Sequence, residues 1–306
     1  MYKDSDTFTA LTVWEMLVAP SITQRKLIWG LIKLGKLIGY PLNRGLNRIN
    51  KRINRNSTAH SVRLDEAEED EFLLMHSWTS MTLWPLYPIK EELFAYFFYD
   101  RDIPVEKKNK INKFYKQMIQ RHLYAHGGNK PFLSKNPSHT AKIDSLLQLF
   151  PDARFIDLVR NPYEAMPSML DYMSIGWKFF CDPLEPYPHR DEFYEVMNFY
   201  YLYPVNYFQD KSDKCRFIRY EELVANPLEI IEDIYLWLGL DLSERYNQIV
   251  VNEMNKASRY QSKHEYSIET MGLSEHIIYR EFDEVFSYFE FDDHNQELPD
   301  HLMLWK

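Results

Sequence analysis

The sequence is short of cysteine and glycine, with two of the first and nine of the second in 306 residues. Two cysteines, Cys181 and Cys215, cannot build a disulfide framework, and no His or Cys stands at short spacing around them, so no zinc site is expected. Both are read as buried reduced thiols. No run of eighteen uncharged apolar residues occurs, so no spanning helix is expected, and the opening MYKDSDTF lacks the basic start and apolar stretch of a secretory signal. The expectation is a cytoplasmic protein. Internal repeats and low-complexity linkers are missing as well, which gives one domain over residues 1–306. A formal charge of −9 argues against general nucleic-acid binding. Acids are missing locally: from Met16 to Leu64 there are ten Lys or Arg and no Asp or Glu.

What is present suffices for a sizeable core. Apolar residues make up 45% of the chain and aromatics 16%, enough to line a cleft as well as fill an interior. Residues 24–126 read as a mostly helical lid or insertion. Within 24–55, Leu27, Ile28, Leu31, Leu34 and Leu37 share one helical face while Lys33 and Lys36 lie elsewhere, and Gly35, Gly39 and Pro41 weaken the helix. This basic stretch is either a peripheral membrane contact or a solvated lid. In LDEAEEDEFLLMHSW, Asp65 and Glu68 have N-cap and N3 spacing and acids fill the first turns, which predicts a helix. A longer helix is predicted after Pro104, with Ile111, Phe114, Tyr115 and Met118 on its buried face and Gly127 and Gly128 as its stop.

Over residues 130–240 the pattern becomes short apolar run, turn, helix, repeated. Strands are predicted at Phe132–Lys135, at Phe155–Val159 and at a run ending on Arg219. Ile143–Phe150 would be a crossover helix, and a later helix would start at Asn226-Pro227 and end at Gly239. This is α/β with a parallel sheet, followed by a helical segment over 241–306. Each strand ends in a cation, Lys135, Arg160 or Arg219. Ligands of open parallel sheets sit beyond the carboxyl ends of the strands, so the trio points to an anion such as phosphate or sulfate. The alternative is that strand ends are simply wet. In VRNPYEAMPS, Arg160 leaves the strand, Asn161 and Pro162 start a helix, and Ser168 follows almost two turns along on much the same face as Asn161.

These residues carry a family resemblance. An Arg at a strand end with a Ser eight residues later in the next helix resembles the donor 3'-phosphate site of the sulfotransferases. FLSKNPSHTAKIDSLLQLFPDARFIDLVRNP and FIRYEELVANP are similar to the matching stretches of bacterial sulfotransferases and of the tyrosylprotein branch, and the resemblance runs from about Thr12 to Phe291. It implies a P-loop-NTPase-like parallel sheet flanked by helices, with a helical lid. It implies transfer of a sulfuryl group from 3'-phosphoadenosine-5'-phosphosulfate, the co-substrate, to a hydroxyl on a small molecule, lipid, glycan or peptide, without a metal.

The same resemblance assigns roles. Arg160 and Ser168 would hold the 3'-phosphate, and Lys135 would stabilise the transferring group and its bridging oxygen. Glu15, in TVWEMLVAPS, resembles the glutamate that takes the acceptor proton, with a pKa expected to be raised by apolar neighbours. His139, in KNPSHT, is the second candidate base. Lys263 and His264, in YQSKHEYS, stand where the family often closes a loop over the nucleotide, without the usual Arg-Lys-Gly. The departure is at the beginning. The family's Gly-rich loop of Pro-Arg-Ser-Gly-Thr-Thr type, which cradles the 5'-phosphosulfate, has no counterpart here, and no glycine precedes Gly30. The expectation is an absent first strand and phosphate loop, through a misplaced start or a truncated gene, and the alternative function is a binding protein that keeps the fold without turnover.

Overall fold

A computed structural model describes residues 1–18, 20–37, 42–53, 63–87, 90–181, 185, 187–257, 268 and 271–291. The chain divides into two compact units, Met1–Pro151 and Asp152–Lys306.

In the first unit, α1 (Val13–Leu17), α2 (Ile22–Leu37), α3 (Leu42–Ile53) and α4 (Phe72–Met75) precede two short turns of helix, α5 (Lys90–Leu93) and α6 (Tyr99–Asp102). They are followed by the long α7 (Val105–Ala125) and by α8 (Ile143–Leu149). The helix predicted after Pro104 is α7: Ile111, Tyr115 and Met118 are buried, joined by Ile119 and His122, while Phe114 is only half-buried. Gly127 and Gly128 stop it with φ of 90° and 71°, and the Gly128 N–H donates to the Leu123 carbonyl at 2.8 Å. Trp84, Phe97, Phe98 and Tyr99, all nearly or fully buried, form the aromatic centre of this unit.

Three expectations change here. The helix over 24–55 is two helices, α2 and α3, and residues 38–41 and 54–55 lie outside the described residues. The leucines assigned to one face of α2 do not pack: its buried side is Arg25 and Gly35, with Trp29 half-buried. The strand predicted at Phe132–Lys135 reduces to a single parallel bridge between Thr9 and Phe132, closed by Thr9 N–H to Pro131 O at 2.9 Å and Leu133 N–H to Thr9 O at 2.8 Å.

The acid-rich run also departs from its pattern. Residues 63–71 turn rather than form a helix, and α4 begins only at Phe72. Three consecutive acids are instead drawn into tertiary pairs with the 135–142 segment: Glu69 with Lys135 at 2.5 Å, Asp70 with His139 at 3.4 Å, Glu71 with Lys142 at 2.6 Å. For the buried Glu71–Lys142 pair, leaving either charge without its partner would cost about 3–5 kcal/mol, more than the few tenths of a kcal/mol per residue that helix propensity offers.

In the second unit, β1 (Phe155–Val159) and β2 (Cys215–Arg219) pair in parallel, with Val159 opposite Arg219. Both strands stand where the sequence places them. Between them run α9 (Pro162–Phe180) and α10 (Arg190–Phe208). The Asn161 side chain accepts the Tyr163 N–H at 3.0 Å and Pro162 takes the first turn, the N-terminus read from the sequence. After β2 come α11 (Tyr220–Ala225), α12 (Pro227–Leu238), α13 (Glu244–Ala257), α14 (Glu275–Glu281) and α15 (Asp283–Phe289). Asn226 stands at the N-cap of α12 without a side-chain capping bond, and Gly239 ends that helix with φ 69°. The core gathers Tyr163, Phe193, Tyr201, Phe282 and Phe286, with Tyr201 donating its hydroxyl to the Arg160 carbonyl at 2.5 Å. That bond fixes the backbone where β1 hands over to α9.

Candidate active site

Two carboxylate–imidazole pairs lie in the first unit. In the first pair, Glu15 is the third residue of α1, and its Oε2 accepts both the Thr12 N–H (3.1 Å) and the Thr12 hydroxyl (2.9 Å). Its Oε1 meets His126 Nε2 at 2.7 Å. Burial pushes the Glu15 carboxyl up, but the His126 bond and the nearby imidazoles outweigh it and hold the pKa below the ordinary value. The raised pKa expected for Glu15 is therefore reversed: its neighbours are donors, not only apolar groups. The ionised carboxylate takes the Nε2–H of His126, which leaves Nδ1 as that ring's basic nitrogen. Glu15 is 2% exposed whereas the His126 side chain is 33% exposed, so the histidine is the reachable member.

His122 stands one turn before His126 on α7, with the two ring centroids 4.2 Å apart. Its Nε2 pairs with the Thr9 hydroxyl at 2.8 Å, and burial followed by the His126 charge lowers its pKa to about 4, so it is neutral near pH 7. Glu15, His122 and His126 each offer a ligand atom within 4.8 Å of the others, a trio that could hold a cation and that the sequence reading missed. The i, i+4 histidines ahead of Gly127-Gly128 were its only sequence signal. Arg25, fully buried on α2, lies near enough to act on both Glu15 and His122, and a cation there competes with any metal.

The second pair is Asp70 with His139. Asp70 accepts the Tyr115 hydroxyl at 2.6 Å, the Ser134 hydroxyl at 2.9 Å and the Asn136 amide at 3.0 Å. Burial raises its pKa, yet the His139 charge and these donors bring it to about 2. His139 Nε2 faces Asp70, Ser134 (3.2 Å) and Tyr115 (3.3 Å), and its Nδ1 is buried with no hydrogen-bond partner. Both nitrogens are enclosed. Beside this pair, Glu71 accepts from Lys142 and from the Ser138 hydroxyl, while the Lys135 side chain is 56% exposed and leans on Glu69. Asp70, Glu71 and Lys142 have the local pattern of helix or loop residues, and nothing near them in the sequence marks a tertiary partner.

In the second unit, Arg160 leaves β1 and Arg219 ends β2, so two of the three expected strand-end cations share one sheet edge. Arg160 forks onto Glu164, at 2.8 and 2.7 Å to Oε2, and its guanidinium lies 5.2 Å from the centre of the Tyr220 ring. Ser168 is half-buried on α9. A cleft of about 250 Å³ opens beside Val159, Arg219, Glu222 and Tyr288. Arg219 Nε and Glu221 Oε2 lie 3.9 Å apart, both buried and without a hydrogen bond, and Arg219 Nη1 donates to the Glu290 carbonyl at 3.2 Å. Lys263 and His264 lie outside the described residues.

Comparison with known proteins gives this arrangement a context. A family profile described as "Sulfotransferase family" matches residues 42–244. The omega-hydroxy-beta-dihydromenaquinone-9 sulfotransferases Stf3 of Mycobacterium bovis and Mycobacterium tuberculosis are each 31% identical over 121 residues, which is 38% of this chain and 31% of theirs. The chain thus spans about a third of the length of the curated relatives it matches. The crystal structure of sulfotransferase STF9 from Mycobacterium avium shares the fold with a TM-score of 0.72 at 17% identity, over 95% of this chain and 72% of that one. That of STF1 from Mycobacterium tuberculosis does so with a TM-score of 0.60 at 19% identity, over 90% of this chain and 70% of the other.

Proposed function

This chain belongs to the sulfotransferase family, and from that premise we propose that it moves a sulfuryl group from 3'-phosphoadenosine-5'-phosphosulfate to an acceptor hydroxyl. The observation that carries the reading is the β1–α9 junction, where Arg160 leaves the strand at the carboxyl edge of a parallel pair and Ser168 follows along the Asn161-capped helix. A guanidinium fork and a hydroxyl suit a phosphate monoester, and we assign the 3'-phosphate to them. The Glu164 carboxylate now on Arg160 would yield to the more highly charged phosphate.

In the reaction the acceptor oxygen attacks sulfur, the bond from sulfur to the bridging oxygen breaks, and the 5'-phosphate leaves with the electron pair. Sulfuryl transfer resembles phosphoryl transfer in needing mainly position and charge stabilisation. Lys135 is assigned to the developing charge on the bridging oxygen. The acceptor proton goes to the Glu15–His126 pair rather than to His139. Glu15 has both oxygens engaged, so His126 Nδ1 is the receiving atom and Glu15 stabilises the imidazolium that results. His139, with both nitrogens enclosed, serves to position the segment that carries Lys135.

For the acceptor, a hydroxylated lipid is the class favoured, since the matched curated relatives are named for a hydroxylated menaquinone. A second reading, a binding protein without turnover, is favoured by the Glu164 carboxylate that already occupies Arg160. The test is to titrate the full chain with the desulfated nucleotide and to follow labelled sulfuryl from donor to a hydroxylated isoprenoid quinone. Binding with transfer supports the enzyme. Binding without transfer to any hydroxyl acceptor tried supports the second reading, and absence of nucleotide binding sinks both.

A further inference from the structure

Helix α2 carries apolar residues on two opposite sides. One side faces inward, with Arg25 fully buried and Trp29 edge-on to His126 at 5.0 Å and to Trp14 at 6.2 Å. On the other side Leu27, Leu31 and Leu34 are each more than half exposed and Leu37 is 85% exposed. A helix apolar on both sides is normally covered on both. Lys26 and Lys33, both exposed, flank the leucines, with the Lys26 ammonium 5.3 Å from the centre of the Tyr124 ring.

Helix α3 continues the same character. Arg48, Lys51 and Arg52 are exposed, as is Ile49 at 48%. In the sequence, Leu42, Leu46, Ile49 and Ile53 recur at helical spacing between Arg44, Arg48, Lys51 and Arg52. Asn50, buried, ties α3 down through Asp65 (3.0 Å) and the Leu64 N–H (3.0 Å). The whole span from Met16 to Leu64 holds ten cations and no acid in a chain of net charge −9.

Charge selects the occupant. A second copy laid patch to patch would bring two such cationic spans together. An anionic bilayer offers an apolar layer for the leucines and headgroup phosphates for the flanking cations. At 16 residues and 1.5 Å per residue α2 is roughly 24 Å long, and no described helix is long and apolar enough to cross a membrane. It fits a helix lying in the interface plane. We propose that α2 and α3 form a peripheral docking surface for anionic lipid bilayers. The inference does not depend on whether the chain transfers sulfuryl, and its test uses no donor nucleotide.

The experiment is co-sedimentation of the full chain with vesicles of phosphatidylcholine alone or mixed with phosphatidylglycerol, at low and high salt. Binding to the anionic vesicles should exceed that to neutral ones by at least about tenfold and should fall as salt rises. Lys51→Glu with Arg52→Glu should weaken binding by about tenfold at low salt, and Leu31→Gln with Leu34→Gln should weaken it at both salts. These side chains are exposed, so the variants should keep the native circular dichroism. Lack of anionic-vesicle binding by the unaltered chain overturns the proposal, as does binding that neither double variant reduces. A concentration-dependent dimer that the leucine variant abolishes, without vesicle binding, would overturn it in favour of a second copy.

Discussion

His139 Nε2 stands 3.4 Å from Asp70 Oδ1, with Tyr115 and Ser134 donating to the same carboxylate. The pair joins the turn after residue 63 to the segment that presents Lys135. Asp70→Ala would strand a buried imidazole and three donors, so unfolding should become easier by about 3–5 kcal/mol, measured by urea denaturation. The Asp70 pKa is depressed in the folded state, to about 2 from 3.8. Its contribution is therefore complete above pH 3.8 and is lost as pH falls toward 2. An acid-unfolding curve unchanged in Asp70→Asn would contradict that role.

His126→Gln should lower kcat by about 100-fold or more, because it removes the receiving nitrogen, and Glu15→Gln by less, because it removes only the carboxylate that steadies the imidazolium. His139→Gln should lower stability, measured by urea denaturation, and keep most of kcat. If only the His139 variant loses transfer, the base has been assigned to the wrong pair.

Lys135 rests on Glu69 in an exposed ion pair, so Lys135→Ala should change stability by no more than about 1 kcal/mol. It should lower kcat more than it raises KM for the acceptor, since its charge acts as the bridging oxygen gains electrons. Equal loss in nucleotide affinity would make it a docking residue instead.

Arg160→Ala should weaken binding of the desulfated nucleotide by about 1.5–3 kcal/mol, the range for hydrogen bonds to a charged group. Glu164→Gln should strengthen it, because the resident carboxylate on Arg160 is then gone. Calorimetric titration that finds both variants equal to the parent would remove the 3'-phosphate from this site.

Asp157, midway along β1, has its pKa raised from 3.8 to about 7 by burial, with Oδ2 lacking a hydrogen bond. The sign is opposite to that of Asp70. The folded state holds the proton more tightly, so stability falls as pH rises from 3.8 to 7 and the full cost is present above 7. Asp157→Asn should raise the melting temperature at pH 8 and change it little at pH 4. An equal shift at both values would mean that charge burial is not the cause.

Local chemistry settled much of what the sequence alone could determine. β1, β2, the Asn161-Pro162 start of α9, the Gly127-Gly128 stop of α7 and the Gly239 stop of α12 all follow from short-range rules of apolar run, cap and left-handed turn. Arg160 at a strand end with Ser168 in the next helix was legible for the same reason. Tertiary structure alone decided the rest. Glu69, Asp70 and Glu71 have the pattern of a helix start, but their partners stand more than sixty residues away, and ion pairing over that distance leaves no periodic trace. The depressed pKa of Glu15 depends on His126 across 111 residues, and Phe132–Lys135 kept one bridge because, among the described residues, Thr9 alone pairs there. The leucines of α2 show the same limit. Spacing gathers them on one side of a helix, while only packing decides whether that side meets the core or is left facing outward.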